Sequence, residues 1–351
     1  NTFWPRGWQD FFFEKRGYLG LITLNRPNAL NALTLGMVRK IHPQLKLWED
    51  DESIKTIAVT ASGDKAFCAG GDIRALYDWG KSGNENATGF YYEEYQLNQL
   101  IKSLKKPYVS LVNGIVMGGG VGVSVHGSHR IAGENYSFAM PETGIGLFPD
   151  VGGSYFLSRL KYNSGMYLAL TGSRIKASDA IELGIAEYYL ESKNYKGILS
   201  QLSAGESPDT ILSSYNFNIP SLIAPNFQQI NELFGGDTIE EIFEKLETNK
   251  SDFSQKTLNT LKSKSPTSLK ITFKQIREGS KLDFEECLRM EYRMVSKVMS
   301  DHDFYEGVRA IIIDKDNNPR WSPSSIREVT EENIDKFFMN LKEKELIFNT
   351  R

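Results

Sequence analysis

Cysteine and histidine are scarce in this chain: among 351 residues there are two of the first, Cys68 and Cys287, and four of the second. Two cysteines, neither of them in a CxxC, cannot build a disulfide framework, and a reducing compartment is the economical reading. The histidines are too scattered to indicate a metal centre. His126 and His129 have HxxH spacing but lack the glutamate of a zinc-protease helix, so they read as structural. An excess of one charge is also missing. A formal net charge of -3 argues against a general nucleic-acid or membrane-surface binder, because either would need a basic face. The chain has no G-x-S-x-G elbow, no Walker loop and no G-x-G-x-x-G behind its first strand, which sets aside serine-hydrolase, NTPase and dinucleotide-binding readings. The longest uncharged run, Tyr108 to Gly127, nears the length of a membrane span, but Asn113 and six glycines interrupt it. It reads as a buried strand, a loop and a helix start. The N-terminus mixes aromatics with charges (Phe3, Trp4, Arg6, Trp8, Asp10) and carries no signal-peptide pattern.

What the chain does have is glycine in three telling places. Met117-Gly118-Gly119-Gly120-Val121-Gly122 follows the apolar run Pro107 to Val112. With no side chains there, a ligand atom can approach the backbone amides, and amides at a helix start attract negative charge. Stabilising an oxyanion in acyl chemistry requires this arrangement. A lone glycine triplet reads first as a turn or a close helix contact. A second turn, Phe67-Cys68-Ala69-Gly70-Gly71-Asp72, follows the apolar run Thr56 to Thr60, so two strand-then-glycine elements can each give one amide to a shared hole. A third segment, Ala139 to Asp150, adds Glu142 and Asp150 framed by proline and glycine.

Along the chain the pattern predicts strands over 11–14 and 18–24, a helix over 34–50 capped by Thr34, a strand over 56–60 and a helix over 72–79. A Gly/Asn/Ser-rich loop over 80–89, a helix over 90–104, a strand over 108–113 and short strands near 129–132 and 136–140 follow. Alternating strands and helices indicate an α/β class. Beyond residue 205 strand patterns largely disappear, and amphipathic segments such as 238–248, 253–263 and 283–300 take over.

These elements, in this order, resemble the crotonase (enoyl-CoA hydratase/isomerase) superfamily. The resemblance rests on Ile22 to Pro27, Ala66 to Ile73, Gly114 to Gly120, Phe138 to Glu142, Leu170 to Gly172 and Ala180 to Gly184. Gly119 to Gly127, Pro141 to Gly153, Ser265 to Lys270, His302 to Ala310 and Asp314 to Asp316 are similar to the branch that hydrolyses 3-hydroxyisobutyryl-CoA. The resemblance implies a crotonase-like spiral of ββα units over 1–205, holding the oxyanion hole and acyl-CoA site, and a helical C-terminal region over 206–351 packed on it. It further implies that the amides of Gly71 and Gly119 form the hole for a thioester carbonyl. No cofactor is implied beyond the CoA of the substrate, and the family's habit of oligomerising leaves room for a homo-oligomer.

One departure bears on the chemistry. The family's hydratases add water with two glutamates, and the first of those positions is Gly122 here, whereas the second is Glu142. A thioesterase needs only one carboxylate beside the hole, acting as general base on water or attacking directly. The resemblance gives Glu142 that role. Asp150 then orients water or protonates the leaving thiolate, although a cap on a helix starting at Val151 is the plainer reading of the same residue. Glu94 is assigned to the substrate hydroxyl. Arg74 is a candidate for a CoA phosphate, and a solvated arginine fits equally well. Cys68 reads as packing behind the hole.

Two rivals stand beside the hydrolase: an enoyl-CoA hydratase or isomerase of the same class, and an RNA-binding homologue, for which the balanced charge offers no basic stripe. One methyl separates 3-hydroxyisobutyryl-CoA from 3-hydroxypropionyl-CoA, worth only about 1–3 kcal/mol in a pocket. The compartment is the cytoplasm if the chain is bacterial, or alternatively the mitochondrial matrix.

Overall fold

The computed structural model describes residues 11–215 and 219–349, so the expectation about the first ten residues falls outside it. Strand β1 (Phe11–Arg16) turns back into β2 (Leu19–Leu24), and the two pair antiparallel. Helix α1 (Leu35–Asp50) starts where the sequence predicts, with the Met37 amide donating to the Thr34 hydroxyl at 3.1 Å. Met37, Ile41, Leu45 and Trp48 are all buried, which is the stripe a helix needs to lie on a sheet.

From there the chain winds in ββα turns, each giving one strand to a large sheet and one to a small sheet. β3 (Thr56–Ala61), β5 (Tyr108–Val112), β7 (His129–Ala132) and β9 (Tyr188–Tyr189) extend the large sheet in the order β1-β2-β3-β5-β7-β9, parallel after the first pair. β4 (Ala66–Cys68), β6 (Ile115–Met117) and β8 (Ser137–Ala139) form the small parallel sheet. Periodicity places the glycine turns directly behind β3 and β5, whereas in the structure they stand behind β4 and β6. Three-residue strands are too short for an alternation to register.

The central strands are apolar on both faces because both are covered. In β2, Leu19 and Leu21 face a cluster with Ala58, Val109 and Leu111, closed by the Tyr195–Ser203 helix through Ile198, Leu199 and Leu202. Ile22 and Leu24 face the main core on the side of α1.

Helix α2 (Ile73–Lys81) begins at Asp72, whose carboxylate accepts from the Ala75 amide at 3.2 Å. Helix α3 (Asn86–Ser103) begins four residues before the predicted start, because Asn84 takes up the Asn86 amide through its side chain at 2.9 Å. Composition alone marks that stretch as loop. In the tail, the three amphipathic segments form the helices Ile239–Thr248, Asp252–Lys262 and Phe284–Val298, and among the described residues no strand follows β9. Leu269, Leu288 and Met294 of the tail belong to the same apolar cluster as Val121, Phe148 and Val151 of the spiral, so tail and spiral share a core. Among the described residues no helix is long and apolar enough to cross a membrane.

Candidate active site

Strands β4 and β6 lie side by side, and each is followed closely by glycine. Gly70 at φ +126° and Gly118 at φ +48° hold backbone conformations that residues with a β-carbon rarely adopt, so both turns require glycine. The turns bring Gly71 and Gly119 together: a β-carbon on Gly119 would sit 3.4 Å from the Gly71 nitrogen. The bridge between Gly71 and Leu33 uses the Leu33 amide to Gly70 and the Asp72 amide to Leu33, which leaves the Gly71 N–H directed away from it. Gly119 opens the short helix α4 (Gly119–Gly122), where a first-turn N–H has no acceptor inside the helix. Two donors therefore point out of adjacent turns.

They border a cavity of about 320 Å³, a size suited to a small acyl group. Its apolar wall includes Ile73, Leu76, Phe90, Met117, Leu147 and Ile311. The other wall is acidic. Glu142 opens a 3-10 turn (Glu142–Ile145) just past β8, pinned by the Thr143 hydroxyl donating to the Leu170 carbonyl at 2.9 Å. Its side chain is buried, and neither carboxyl oxygen has a hydrogen-bond partner among the described residues. Asp150 is buried too and accepts from the Tyr95 hydroxyl at 2.8 Å. Glu94, buried on α3, places Oε2 3.0 Å from where a Gly119 β-carbon would lie.

Burial is the main cause of the raised proton affinity of these carboxyls. Glu94 and Glu142 are pushed well above the ordinary carboxylate range, with the charge of Asp150 adding to both. Asp150 is pushed up to about 7, the Tyr95 hydrogen bond opposing the burial. Buried carboxyls that raise one another's proton affinity cannot all ionise at neutral pH, so acid and base forms coexist there.

Of the expected site residues, Gly71, Gly119, Glu94, Glu142 and Asp150 all line this one cavity. Arg74 does not: it is exposed on α2, outside the lining residues. Asp150 does not cap a helix at Val151, since Val151 has φ +51° and the helix resumes only at Gly153. Cys68 packs behind the hole, its thiol donating to the Gly70 carbonyl at 3.5 Å and pushed up to about 12 by burial, which leaves it inert as a nucleophile. Buried His126, its Nε2 2.6 Å from the Val151 carbonyl, is pushed down to about 3 and is a neutral structural group.

Gly122, where the hydratases carry their first glutamate, has no room for a side chain. A β-carbon there would meet Asn98 Nδ2 at 2.7 Å and the Val151 β-carbon at 2.8 Å. The sequence reading also missed several residues around the cavity. Tyr91 and Tyr95 flank Glu94 on α3, and their helical spacing from it was a usable signal. Lys264, which lines the cavity, and Glu291 and Gln275, which hold the Asp150 turn, come from the tail with no local motif to mark them.

The sequence profile of the enoyl-CoA hydratase/isomerase family matches residues 19–338. The chain is 52% identical to the mitochondrial 3-hydroxyisobutyryl-CoA hydrolase of Xenopus laevis, over 95% of this chain and 89% of that one. Among solved structures, an enoyl-CoA hydratase from Rhodobacter sphaeroides superposes with a TM-score of 0.92 at 37% identity, covering 97% of this chain and all of the other. A carnitinyl-CoA dehydratase from Mycobacterium thermoresistibile gives 0.93 at 36%, covering 98% and 100%.

Proposed function

The chain belongs to the enoyl-CoA hydratase/isomerase family, and from that premise we propose that it hydrolyses 3-hydroxyisobutyryl-CoA to 3-hydroxyisobutyrate and free CoA, a step of valine breakdown. The observation that carries the reading is Glu142: a buried carboxyl with both oxygens unpartnered, in the same cavity as two unspent glycine amides. In this reading the thioester carbonyl accepts from the Gly71 and Gly119 amides. Attack on the carbonyl carbon puts a negative charge on that oxygen, where the two donors stabilise it most. Glu142, in its ionised form, supplies the attack, either by taking a proton from water or by bonding to the carbonyl carbon to give an anhydride that water opens. Asp150, which holds a proton near neutral pH, gives it to the departing thiolate of CoA. Glu94 takes the substrate hydroxyl. Arg74, exposed on α2 outside the cavity, is assigned to a CoA phosphate. No cofactor enters this scheme.

Hydration is the second reading, because similar solved structures carry hydratase and dehydratase names. Gly122 weighs against it. Syn-addition needs a carboxylate on each side of the water, and here Asn98 and Val151 fill the place of one. Release of free thiol from 3-hydroxyisobutyryl-CoA, with crotonyl-CoA left nearly untouched, is the expected result. Rapid loss of enoyl absorbance without thiol release would overturn the proposal. The Xenopus relative is named mitochondrial, and we assign this chain to the mitochondrial matrix rather than a bacterial cytoplasm; detection in the cytosolic fraction of its source cells would reverse that.

A further inference from the structure

The turn that carries Asp150 is strained and held from outside. Val151 sits at φ +51°, a conformation a β-branched residue adopts only where its surroundings enforce it. Three groups enforce it. Gln275 Nε2 donates to the Pro149 carbonyl at 2.5 Å and to Ser154 Oγ at 2.8 Å. His126 Nε2 donates to the Val151 carbonyl at 2.6 Å. Glu291, on the Phe284–Val298 helix of the tail, accepts from the Gly152 amide at 2.9 Å, the Ser154 amide at 3.2 Å and the Ser154 hydroxyl at 2.7 Å.

Glu291 is fully buried among apolar side chains of the tail, where packing alone would favour leucine or methionine. A carboxyl survives in such a place only when donors converge on it, and all three of its donors come from the Asp150 turn. We propose that Glu291 is a positioning residue for hydrolysis: it fixes the backbone on which Asp150 stands and so sets that carboxyl against the leaving thiolate. This rests on the reading of Asp150 as proton donor. It makes the helical tail part of the catalytic apparatus rather than only a cover for the spiral. The charge of Asp150 reaches Glu291, which is itself pushed up to about 8, chiefly by burial. The other titratable groups around Asp150 are Tyr91, Glu94 and Tyr95 on α3 and Glu142 beyond β8.

The test is Glu291→Gln. The amide keeps the shape, but its NH₂ faces a backbone N–H, so one of the Gly152 and Ser154 amides loses its acceptor. With the circular dichroism spectrum unchanged, kcat for thiol release is expected to fall about 10- to 100-fold, the scale of a small misplacement of a reacting group. KM should stay within about threefold. The pH-rate limb governed by Asp150 should stay near its wild-type position, because Glu291, pushed up to about 8, carries its proton while Asp150 titrates at about 7. Met294→Ala, a buried change on the same helix that makes no hydrogen bond to the turn, should lower Tm and leave kcat intact. Ser154→Ala removes one of the three bonds to Glu291, together with the Gln275 bond to the same hydroxyl, and should give a smaller fall in kcat; it also decides the matter if Glu291→Gln does not fold. In an Asp150→Asn background, Glu291→Gln should cost almost nothing further. Glu291→Gln and Ser154→Ala turning over like Met294→Ala, or losses that multiply with Asp150→Asn, would overturn the proposal. Wild-type turnover in Asp150→Asn alone would instead overturn the role of Asp150, and this proposal with it.

Discussion

The glycine wall and the acidic wall line the same cavity but are built by different means. The glycine wall is local. Each of its amides stands two or three residues past a short strand, and β4 and β6 are neighbours in one small sheet. The acidic wall is assembled from a distance: Glu94 from α3, Glu142 from beyond β8, and Asp150 from a turn tied to Glu291, 139 residues further along than Gly152. The difference follows from what each wall must do. A backbone donor is ready as soon as the turn forms, because its N–H needs only the right φ and ψ. A carboxyl that keeps a proton near pH 7 needs burial, and burial needs contacts from distant parts of the chain.

The sharpest way to break the comparison is to damage one wall at a time. Glu142→Gln keeps shape and packing but removes the basic oxygen, and kcat is expected to fall by about 10² to 10⁴, the usual worth of general-base catalysis. Thermal unfolding should show no loss of stability. Near-normal thiol release from this variant would remove Glu142 from the mechanism.

On the opposite wall, Gly119→Pro deletes one donor outright. Gly119 is the first residue of α4, the position where a helix tolerates proline best. A β-carbon would sit 3.0 Å from Glu94 Oε2, so a native-like circular dichroism spectrum must come first. The expected loss is about 10² to 10³ in kcat, the cost of one oxyanion-hole donor. Full activity in a folded Gly119→Pro protein would mean that the hole uses other amides.

The contrast between the walls also explains what could be read from the sequence. Gly71, Gly119 and the Pro141-Glu142 block are short motifs whose placement at the cavity depends on a few consecutive residues, so they were legible. The ββα order was legible because α1 shows its stripe of Met37, Ile41, Leu45 and Trp48 plainly. The separate strands β4 and β6 were not, being three residues long, and neither was the start of α3 inside a Gly/Asn-rich stretch. Glu291 and Gln275 look like ordinary helix residues in the tail. Only three-dimensional packing shows them holding the Asp150 turn. Gly122 was legible as an absence, but the reason it cannot be reversed was not: Asn98 and Val151 already occupy the space. Gly122→Glu is therefore a packing defect rather than a route to hydration.

Burial of the acidic wall has a thermodynamic consequence that the glycine wall lacks. Carboxyls whose proton affinity rises on folding stabilise the protein fully below the unfolded carboxylate range, near pH 4, and that stabilisation is lost as pH rises through their folded values. For Asp150 the loss runs up to about 7 and for Glu291 up to about 8. Chemical denaturation should therefore show stability falling by a few kcal/mol between pH 5 and 8. Asp150→Asn should flatten the slope and exceed the wild type in stability at pH 8 while losing activity. A wild-type profile that stays level over that range would mean that the acidic wall is more hydrated than its burial implies.

The smallest expected effect separates the two roles open to Asp150. Tyr95→Phe removes the hydroxyl that donates to Asp150 Oδ2 and keeps the ring, which packs against Tyr91 and Tyr292. That hydrogen bond favours the ionised carboxyl, so its loss should raise the Asp150 pKa by about one pH unit, the scale of a hydrogen bond to a charged group. Turnover at the optimum should change only a few-fold. The direction of the shift is upward whatever Asp150 does, but the limb that moves depends on its role. If Asp150 protonates the thiolate it must enter the step with its proton, so the alkaline limb of the pH-rate profile moves up and activity persists to higher pH. If it acts as a base it must enter ionised, and the acid limb moves up instead. A profile in which neither limb moves would show that Asp150 does not titrate in the catalytic cycle, and the proton for the leaving thiolate would have to come from another group in the cavity.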